Sequence, residues 1–284
     1  MCELFGVSSQ QPVHINNYLK SFYRHCNMHP HGWGLALMNN KQPHIEKEPI
    51  EATESRHLKE ILKNPIYTKS ALAHIRLATM GNMDVANCHP FISEDNNGRK
   101  WVLIHNGTIF KCDLLNKYKK TQDGNTDSER ILMYIIDRLN YKERQQPLSD
   151  REQFNFINKI ISKLAEGNKL NLIISNGTYT YAHSNTRNSL HYQRINKTIY
   201  FSTQKLNDKP WKLVPLNTVF ALKDGEIIYK GKSHKYTYKL TEDQFNYIMN
   251  HVNPSLRESI INNFGEMHEA EFLKNQQRIM RIIT

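Results

Sequence analysis

Cys2 follows Met1 directly in this 284-residue sequence, and that position gives it more chemical potential than most free cysteines have. If Met1 is removed, Cys2 carries both a thiol and a free α-amine. The α-amine has a pKa of about 7.7–8.0, so near neutral pH part of it can accept a proton. The thiolate is the nucleophilic form of cysteine, and a neighbouring base can generate it. The position indicates a nucleophile that carries its own base, although most free cysteines are small buried apolar residues.

Several polar residues follow Cys2, and each has an ordinary structural explanation when taken alone. Arg76, in an apolar run, suits a surface ion pair. Asn106 and Gly107 form a pair that is typical of a hairpin turn. Asp127 precedes an apolar periodic segment and suits a helix N-cap. Only their joint occurrence behind Cys2 favours a catalytic site over these separate explanations.

A second group of residues could bind a metal instead. His25, Cys26, His29 and His31 lie close together, and zinc accepts both thiolate and imidazole ligands. Their spacing matches no standard closed zinc site, so we predict no metal and no other cofactor.

The chemistry-bearing residues must be positioned by the elements that the apolar pattern predicts. Asn176-Gly177 and Asp224-Gly225 are typical of hairpin turns. Runs bounded by turn residues predict strands, and apolar residues at helical spacing predict helices. Strands are predicted at 3–8, 33–38, 71–76, 101–105, 171–174, 178–182, 198–202, 219–222 and 226–229. Helices are predicted from Asp127, with Thr126 or Asp127 as the cap, near 154–164, and after residue 245 with breaks at Pro254 and Gly265. This order predicts two sheets with helices outside them, a layered α+β domain.

Composition excludes several classes of protein. The formal charge is +11, from 38 Lys and Arg against 27 Asp and Glu, which would suit nucleic acid. The excess is spread out, however, and its densest spot, 117–120, is too short for a polybasic tract, so we predict no nucleic-acid partner. No apolar run approaches the roughly 18 residues that span a bilayer, so we predict no membrane association. Without a recognisable signal peptide or a C-x-x-C pair, the four cysteines predict a cytoplasmic protein.

Five segments in order resemble the class II glutamine amidotransferases, which are N-terminal nucleophile (Ntn) hydrolases. A sixth, His89-Pro90-Phe91, lies between the third and the fourth, as in that family. The five are 1–6 (MCELFG), 31–34 (HGWG), 73–79 (AHIRLAT), 105–107 (HNG) and 126–129 (TDSE). The resemblance is greatest to small stand-alone members that begin M-C-E-L and extends to about residue 230. It implies a four-layer αββα sandwich, a glutamine amidotransferase type-2 domain at 2–234, and a helical C-terminal extension at 235–284.

The resemblance also implies roles for the residues in these segments. Cys2 matches the nucleophile that attacks the glutamine carboxamide. The Asn106 side chain and the Gly107 backbone N–H match the oxyanion hole. Arg76 matches the residue that binds the substrate α-carboxylate, and Asp127 matches the one that binds the α-ammonium.

Four further positions are implied with more general roles. Thr79 and His89 match residues that line the substrate pocket. Trp33 and Gly34 match a strand beneath the nucleophile, where a side chain at Gly34 would crowd it. The chain departs from many amino-sugar and purine enzymes of the family at Leu77, where those have Trp, and this leaves the substrate open.

The predicted function is hydrolysis of the γ-carboxamide of glutamine, or of a γ-glutamyl compound, through a thioester on Cys2 that releases ammonia or an amine. The alternatives are a γ-glutamyl amidohydrolase of a thiol-compound pathway and an inactive Ntn-fold binding or regulatory module. The 50 residues after 234 are too few for a fused synthase domain, so the ammonia acceptor is either a separate synthase subunit or absent. A homo-oligomer paired through the C-terminal helices is also open.

Overall fold

The computed structural model describes residues 2–39, 42–79 and 81–251. Eighteen strands and α-helices occur in these ranges. In chain order they are β1 (Glu3–His14), α1 (Asn16–Tyr23), β2 (Trp33–Asn39), β3 (Gln42–Glu48), α2 (Arg56–Lys63), β4 (Tyr67–Ile75), β5 (Phe91–Glu94), β6 (Lys100–Thr108), α3 (Asp127–Lys142), α4 (Asp150–Leu164), β7 (Lys169–Ser175), β8 (Thr180–His183), β9 (His191–Ile195), β10 (Thr198–Ser202), β11 (Lys212–Leu213), β12 (Phe220–Lys223), β13 (Glu226–Lys230) and α5 (Glu242–His251). Short 3₁₀ helices cover Arg24–Met28, Val85–Asn87 and Asp113–Lys120.

The strands of the described residues form two antiparallel sheets. The first has seven strands in the order β11-β9-β10-β1-β4-β2-β3, and the second has six in the order β13-β12-β8-β7-β6-β5. The first strand, β1, is therefore central in its sheet, between β10 and β4. The start of β1 and the ends of its neighbours can then meet residues of the second sheet in the interior of the domain.

Three apolar cores separate four layers, because successive side chains of a strand point to opposite faces. Between the sheets lie residues such as Leu4, Leu72, Ile104 and Ile173. On the outer face of the first sheet, α1 and α2 cover a core that contains Phe5 and Trp33, among others. On the outer face of the second sheet, α3 and α4 cover another that includes Trp101 and Leu172. The predicted αββα sandwich is confirmed.

Local sequence signals account for where most elements begin. The Thr126 side chain caps α3 by accepting from the Glu129 N–H, and Ser149 and Glu152 form a reciprocal capping box at α4. The capping box places the start of α4 four residues before the apolar run that predicts it. Similarly, β8 begins at Thr180 rather than at 178, because Asn176 N–H donates to the Tyr179 carbonyl and closes a turn.

Residues 235–251, the described part of the predicted C-terminal extension, pack against the preceding residues. The Asn185 side chain donates to the Tyr236 carbonyl at 3.2 Å, and the Tyr238 N–H donates to the Asn185 carbonyl at 2.7 Å. The same Asn185 side chain also accepts from the Leu170 N–H at 2.8 Å, so it joins the extension to the start of β7. The predicted helix after residue 245 is α5, and the predicted breaks at Pro254 and Gly265 lie outside the described residues.

None of the helices in 2–39, 42–79 and 81–251 combines the length and the apolar character that crossing a bilayer requires.

Candidate active site

The Cys2 thiol lies at the start of β1, against the chain just beyond the end of β4. Its Sγ is 3.4 Å from both the amide nitrogen and the carbonyl oxygen of Leu77. The thiol can donate to the carbonyl, and the thiolate can accept from the amide. The 77–78 segment therefore offers a hydrogen-bond partner to either protonation state of the sulfur.

His31 fixes that segment from the other side. The Ala78 N–H donates to His31 Nδ1 at 2.9 Å, which requires that this ring nitrogen carries no proton. Burial, together with the nearby positive charge of Arg76, lowers the pKa of His31 to about 4. His31 is consequently neutral at pH 7 and holds the backbone next to Cys2 in place.

Arg76 follows β4 on the face that points between the sheets, and it is 2 % exposed. Its Nη1 donates to the Asn82 carbonyl at 2.9 Å. Burial lowers the pKa of Arg76, while the Cys88 and Cys2 thiols and the Asp127 carboxylate raise it, so these groups lie near its guanidinium. A buried cation is thus held close to both Cys2 and Asp127.

A loop folds over Arg76 and keeps the Asn82 carbonyl in position. The Asn82 N–H donates to Asn125 Oδ1 at 3.3 Å, and Asn87 Nδ2 donates to the Asn82 carbonyl at 3.1 Å. Gly81 has φ of 81°, and a Cβ there would lie 2.6 Å from Asn125 Oδ1. The loop therefore needs a glycine at this position.

Asn106 and Gly107 lie near the end of β6, opposite Asn171 and Leu170 of β7. Lys169 Nζ donates to Asn106 Oδ1 at 3.2 Å. A Cβ on Gly107 would lie 2.0 Å from the Lys169 carbonyl oxygen, so only glycine permits this approach of the two strands. These residues form a regular strand pair, and the hairpin-turn explanation does not apply to them.

Asp127 is the first residue of α3, and the N-cap role belongs to Thr126. The Asp127 Oδ2 atom accepts a hydrogen bond from the Ile109 N–H at 2.6 Å. Ser128, the next residue, lies 2.9 Å from His105 Nδ1 and ties the helix start to β6. The partial positive charge of the helix N-terminus favours a carboxylate at Asp127.

Thr79 completes the link between the two sheets, because its hydroxyl oxygen lies 3.5 Å from that of Thr108. Thr79 is two residues beyond Leu77, and Thr108 is two residues beyond Asn106. The structure therefore brings most predicted site residues together where β1, β4, β6 and α3 meet: Cys2, Arg76, Thr79, Asn106, Gly107 and Asp127.

Two other residues predicted for the site, Trp33 and Gly34, lie away from this junction. The Trp33 side chain points away, into the core under α1 and α2, and its Nε1 donates to Glu48 at 3.0 Å. Because β4 separates β2 from β1, Gly34 is not beneath Cys2. A Cβ on Gly34 would instead lie 2.0 Å from the His89 carbonyl oxygen, and this contact corrects the reason given for the glycine.

His89 is buried beside β4 and stacks on His74, with ring centroids 4.0 Å apart. Within the described part of the chain, neither ring nitrogen of His89 has a hydrogen-bond partner. Burial lowers its pKa well below the usual range, and neighbouring His74 lowers it further, so the ring is neutral. His89 supports the strand behind Arg76, and its place in the pocket stays a prediction.

The four residues of the alternative metal site make separate contacts. His25 Nδ1 lies 2.9 Å from Glu3 Oε2, His29 Nδ1 donates to the His25 carbonyl, and His31 accepts from Ala78. The Cys26 thiol lies 3.4 Å from Glu51 Oε1. Over the described ranges, no three His, Cys, Asp or Glu side chains are grouped so that they could hold a metal ion.

The extension covers the region next to Cys2. Ile248 of α5 is 2 % exposed and packs on Leu77 and Ala78. Phe110, just after β6, stacks on Tyr238 with ring centroids 6.2 Å apart and meets the edge of Tyr247 at 6.0 Å. One side of the site is therefore an apolar and aromatic wall.

A family model described as glutamine amidotransferases class-II matches residues 1–224. The chain belongs to this family. A Haemophilus influenzae protein that is provisionally named a glutamine amidotransferase is 32 % identical over 195 residues, which are 68 % of this chain and 65 % of that protein. The chain thus spans just under two thirds of that relative. A similarly named Escherichia coli protein, YafJ, is 30 % identical over 68 % of this chain and 75 % of its own length.

Solved structures share the fold of this class II amidotransferase domain. A Pseudomonas aeruginosa protein that is provisionally described as a glutamine amidotransferase superposes with a TM-score of 0.58 at 18 % identity, over 80 % of this chain and all of that one. The glutamine phosphoribosylpyrophosphate amidotransferase of Bacillus subtilis gives 0.60 at 16 % identity, over 82 % of this chain and 49 % of that one. These similarities support the αββα fold.

Lys169, His31 and the Asn82 carbonyl contact site residues, and the sequence alone did not indicate them. His31 lies in the H-G-W-G segment, but its pattern suggested only a turn or a metal ligand. Lys169 directly precedes an apolar strand, where a lysine is normally solvated. No local signal distinguishes such a lysine from one that is buried.

Proposed function

We propose that the chain hydrolyses the γ-carboxamide of glutamine, or of a γ-glutamyl compound, through a thioester on Cys2. The convergence of Cys2 with Arg76, Asn106, Gly107 and Asp127 carries the proposal. These residues come from four different parts of the chain, and together they supply a nucleophile, oxyanion donors and two opposite charges. A free amino acid presents the matching set of groups: a carbonyl, a carboxylate and an ammonium.

Removal of Met1 comes first, because only a free α-amine on Cys2 can act as a base. The amine takes the thiol proton as Sγ attacks the carbonyl carbon of the amide. The Asn106 Nδ2–H and the Gly107 N–H donate to the oxygen that becomes negatively charged. The tetrahedral intermediate then collapses, the α-ammonium gives its proton to the leaving nitrogen, and ammonia or an amine departs.

Water completes the reaction. The α-amine takes a proton from the water as it attacks the thioester, and the carbon–sulfur bond breaks. The thiolate is reprotonated, and the γ-carboxylate product leaves. During both steps Arg76 binds the α-carboxylate, and Asp127 binds the α-ammonium of the substrate. Thr79 lines the same pocket.

We assign this chemistry to residues 2–234 and treat 235–284 as an extension. The acceptor of the ammonia is either water alone or a separate synthase subunit. Because α5 packs beside Cys2, a synthase that received ammonia there would contact α5. A self-sufficient γ-glutamyl amidohydrolase would instead use the apolar wall to hold the leaving amine.

The test is ammonia or amine release from glutamine and from a panel of γ-glutamyl amides, with mass spectrometry of the intact protein. Cys2→Ala should reduce release by roughly 10³-fold or more. Cys112→Ala is the matched control, because Cys112 is also a partly buried free thiol but lies in the outer core, and it should retain full activity. Retention of Met1 on the purified protein, or equal activity of Cys2→Ala and its parent, would refute the proposal.

A further inference from the structure

Lys169 is a buried lysine in the core between the sheets. It is 3 % exposed and opens β7 opposite Thr108. Ile104 and Ile173, on the same inner faces of β6 and β7, lie in the apolar core. Toward the site this surface becomes polar, with Lys169 next to Asn106. An ammonium in such a place is costly unless nearby groups stabilise it.

The contact between Lys169 and Asn106 determines how the Asn106 amide is turned. An ammonium has three donors and no acceptor, so it can bond only to the oxygen of an amide. Lys169 Nζ lies 3.2 Å from Asn106 Oδ1. The amide nitrogen must then point away from Lys169, with its N–H donors available to a substrate.

Lys169 also lies near the nucleophile. A Cβ on Gly6 of β1 would lie 3.1 Å from Ile173 Cδ1 of β7. Cys2 comes four residues before Gly6, just ahead of β1, and Lys169 comes four residues before Ile173, at the start of β7. Among the described residues, the Cys2 thiol and the His105 imidazole interact electrostatically with Lys169. Burial lowers the pKa of His105, so that ring is neutral, whereas the Cys2 thiolate carries a charge that can balance the ammonium.

We propose that Lys169 is a positioning residue that directs the Asn106 amide N–H toward the oxyanion and stabilises the Cys2 thiolate by its charge. The inference rests on the proposed function. Burial lowers the pKa of Lys169 to about 8, which still leaves it mostly protonated at pH 7. The residue therefore supplies a positive charge at the pH where the thiolate is needed.

A variant that keeps the length of the side chain but removes its charge separates this role from a structural one. Lys169→Met relieves the cost of burying an ammonium but leaves Asn106 Oδ1 without this donor, so its two effects on stability oppose each other. Lys169→Met should therefore unfold in urea close to the parent concentration, while turnover falls roughly 10- to 100-fold. Lys159→Met, at an exposed position on α4, should leave both unchanged.

A double-mutant cycle tests whether Lys169 acts through Asn106. Asn106→Ala alone should lower kcat by roughly 10²- to 10³-fold, the usual cost of one oxyanion donor. If Lys169 positions this amide, then Lys169→Met should cost at least about threefold less in the Asn106→Ala background than in the parent, because only its effect on the thiolate remains there. Full additivity of the two losses would overturn the positioning role.

The effect on the thiolate is measured without any substrate. Alkylation of Cys2 by iodoacetamide, followed on the Cys2 peptide by mass spectrometry, should slow by roughly 5- to 10-fold at pH 7 in Lys169→Met. Identical rate–pH profiles in parent and variant would overturn the electrostatic role. If the parent releases ammonia from no γ-glutamyl substrate, the proposed function fails, and the alkylation profile still decides whether Lys169 acts on the thiol.

Discussion

Substituting Gly107 by alanine should damage both the fold and the site. The added Cβ would lie 2.0 Å from the Lys169 carbonyl oxygen and 2.3 Å from His105 Nε2. One of these obstacles is backbone, which cannot rotate away as the end of a side chain can. The β6 and β7 strands would have to separate by about 1 Å or more at this register before the contact became tolerable, and hydrogen bonds of ordinary length would then be broken.

The cost follows from those two effects. Two cross-strand hydrogen bonds contribute about 1 kcal/mol each, and overpacking adds roughly 1–3 kcal/mol. Gly107→Ala should thus lower the free energy of unfolding by about 3–5 kcal/mol and the melting temperature by at least about 5 °C. Separating the strands also moves Asn106 relative to Lys169, so turnover should fall roughly 100-fold even where the protein is fully folded.

Gly6→Ala is the matched control. Gly6 also lies on a central strand, but its Cβ would meet only the methyl groups of Ile173 and Leu72, at 3.1 and 3.4 Å. Those side chains can adjust, so the loss should be about 1 kcal/mol or less. Urea unfolding, thermal unfolding and ammonia release are measured for both variants. A Gly107→Ala protein as stable as Gly6→Ala would refute the packing argument, and one with parental turnover would refute the place of Gly107 in the site.

Three further outcomes are expected. Asp127→Asn keeps an oxygen acceptor for the Ile109 N–H but loses the charge, so KM for glutamine should rise roughly 10- to 100-fold with little change in melting temperature; an unchanged KM would contradict the ammonium contact. Burial lowers the pKa of His183 to about 3, so below pH 6.5 the unfolded chain binds a proton at this residue that the folded chain does not. About 2 kcal/mol of stability should therefore be lost between pH 7 and pH 5. Urea unfolding of His183→Gln should show a smaller loss of stability over this pH range, and a loss equal to that of the parent would exclude His183 as the cause. Ile248→Asp should detach α5 and speed Cys2 alkylation at least about threefold, whereas Asn250→Asp on the exposed face should not; equal rates would mean that α5 does not cover the thiol.

The sequence predicts those parts of the fold that depend on residues close to each other along the chain. The apolar runs at 198–202 and 226–229 coincide with β10 and β13 to within a residue. The start of α3 follows from Thr126, whose side chain finds its partner within the same turn. Such signals act over a few residues, so the pattern alone is sufficient to read them.

The sequence predicts a site residue only where that residue lies in a segment that resembles the glutamine amidotransferase family. Arg76, Asn106 and Asp127 lie in such segments and are brought to one place, although their roles stay predictions. Lys169 could not be found this way, because its contact with Asn106 depends on the register of β6 against β7. For a similar cause, the sequence does not show why residue 34 must be a glycine. The His89 carbonyl oxygen that would contact a Cβ at this position belongs to a loop 55 residues further along the chain.

The C-terminal extension is also connected to the site through hydrogen bonds of the Asn185 side chain. One amide group holds the Tyr236 carbonyl, the Asn168 carbonyl and the Leu170 N–H. A partner that displaced 236–238 would remove a hydrogen bond from the side chain that anchors the first residues of β7. Those residues include Lys169, whose side chain fixes Asn106. Docking and release of residues 236–238 would then be transmitted through one side chain to Asn106, the proposed oxyanion donor, so catalytic rate would report on whether these residues are docked.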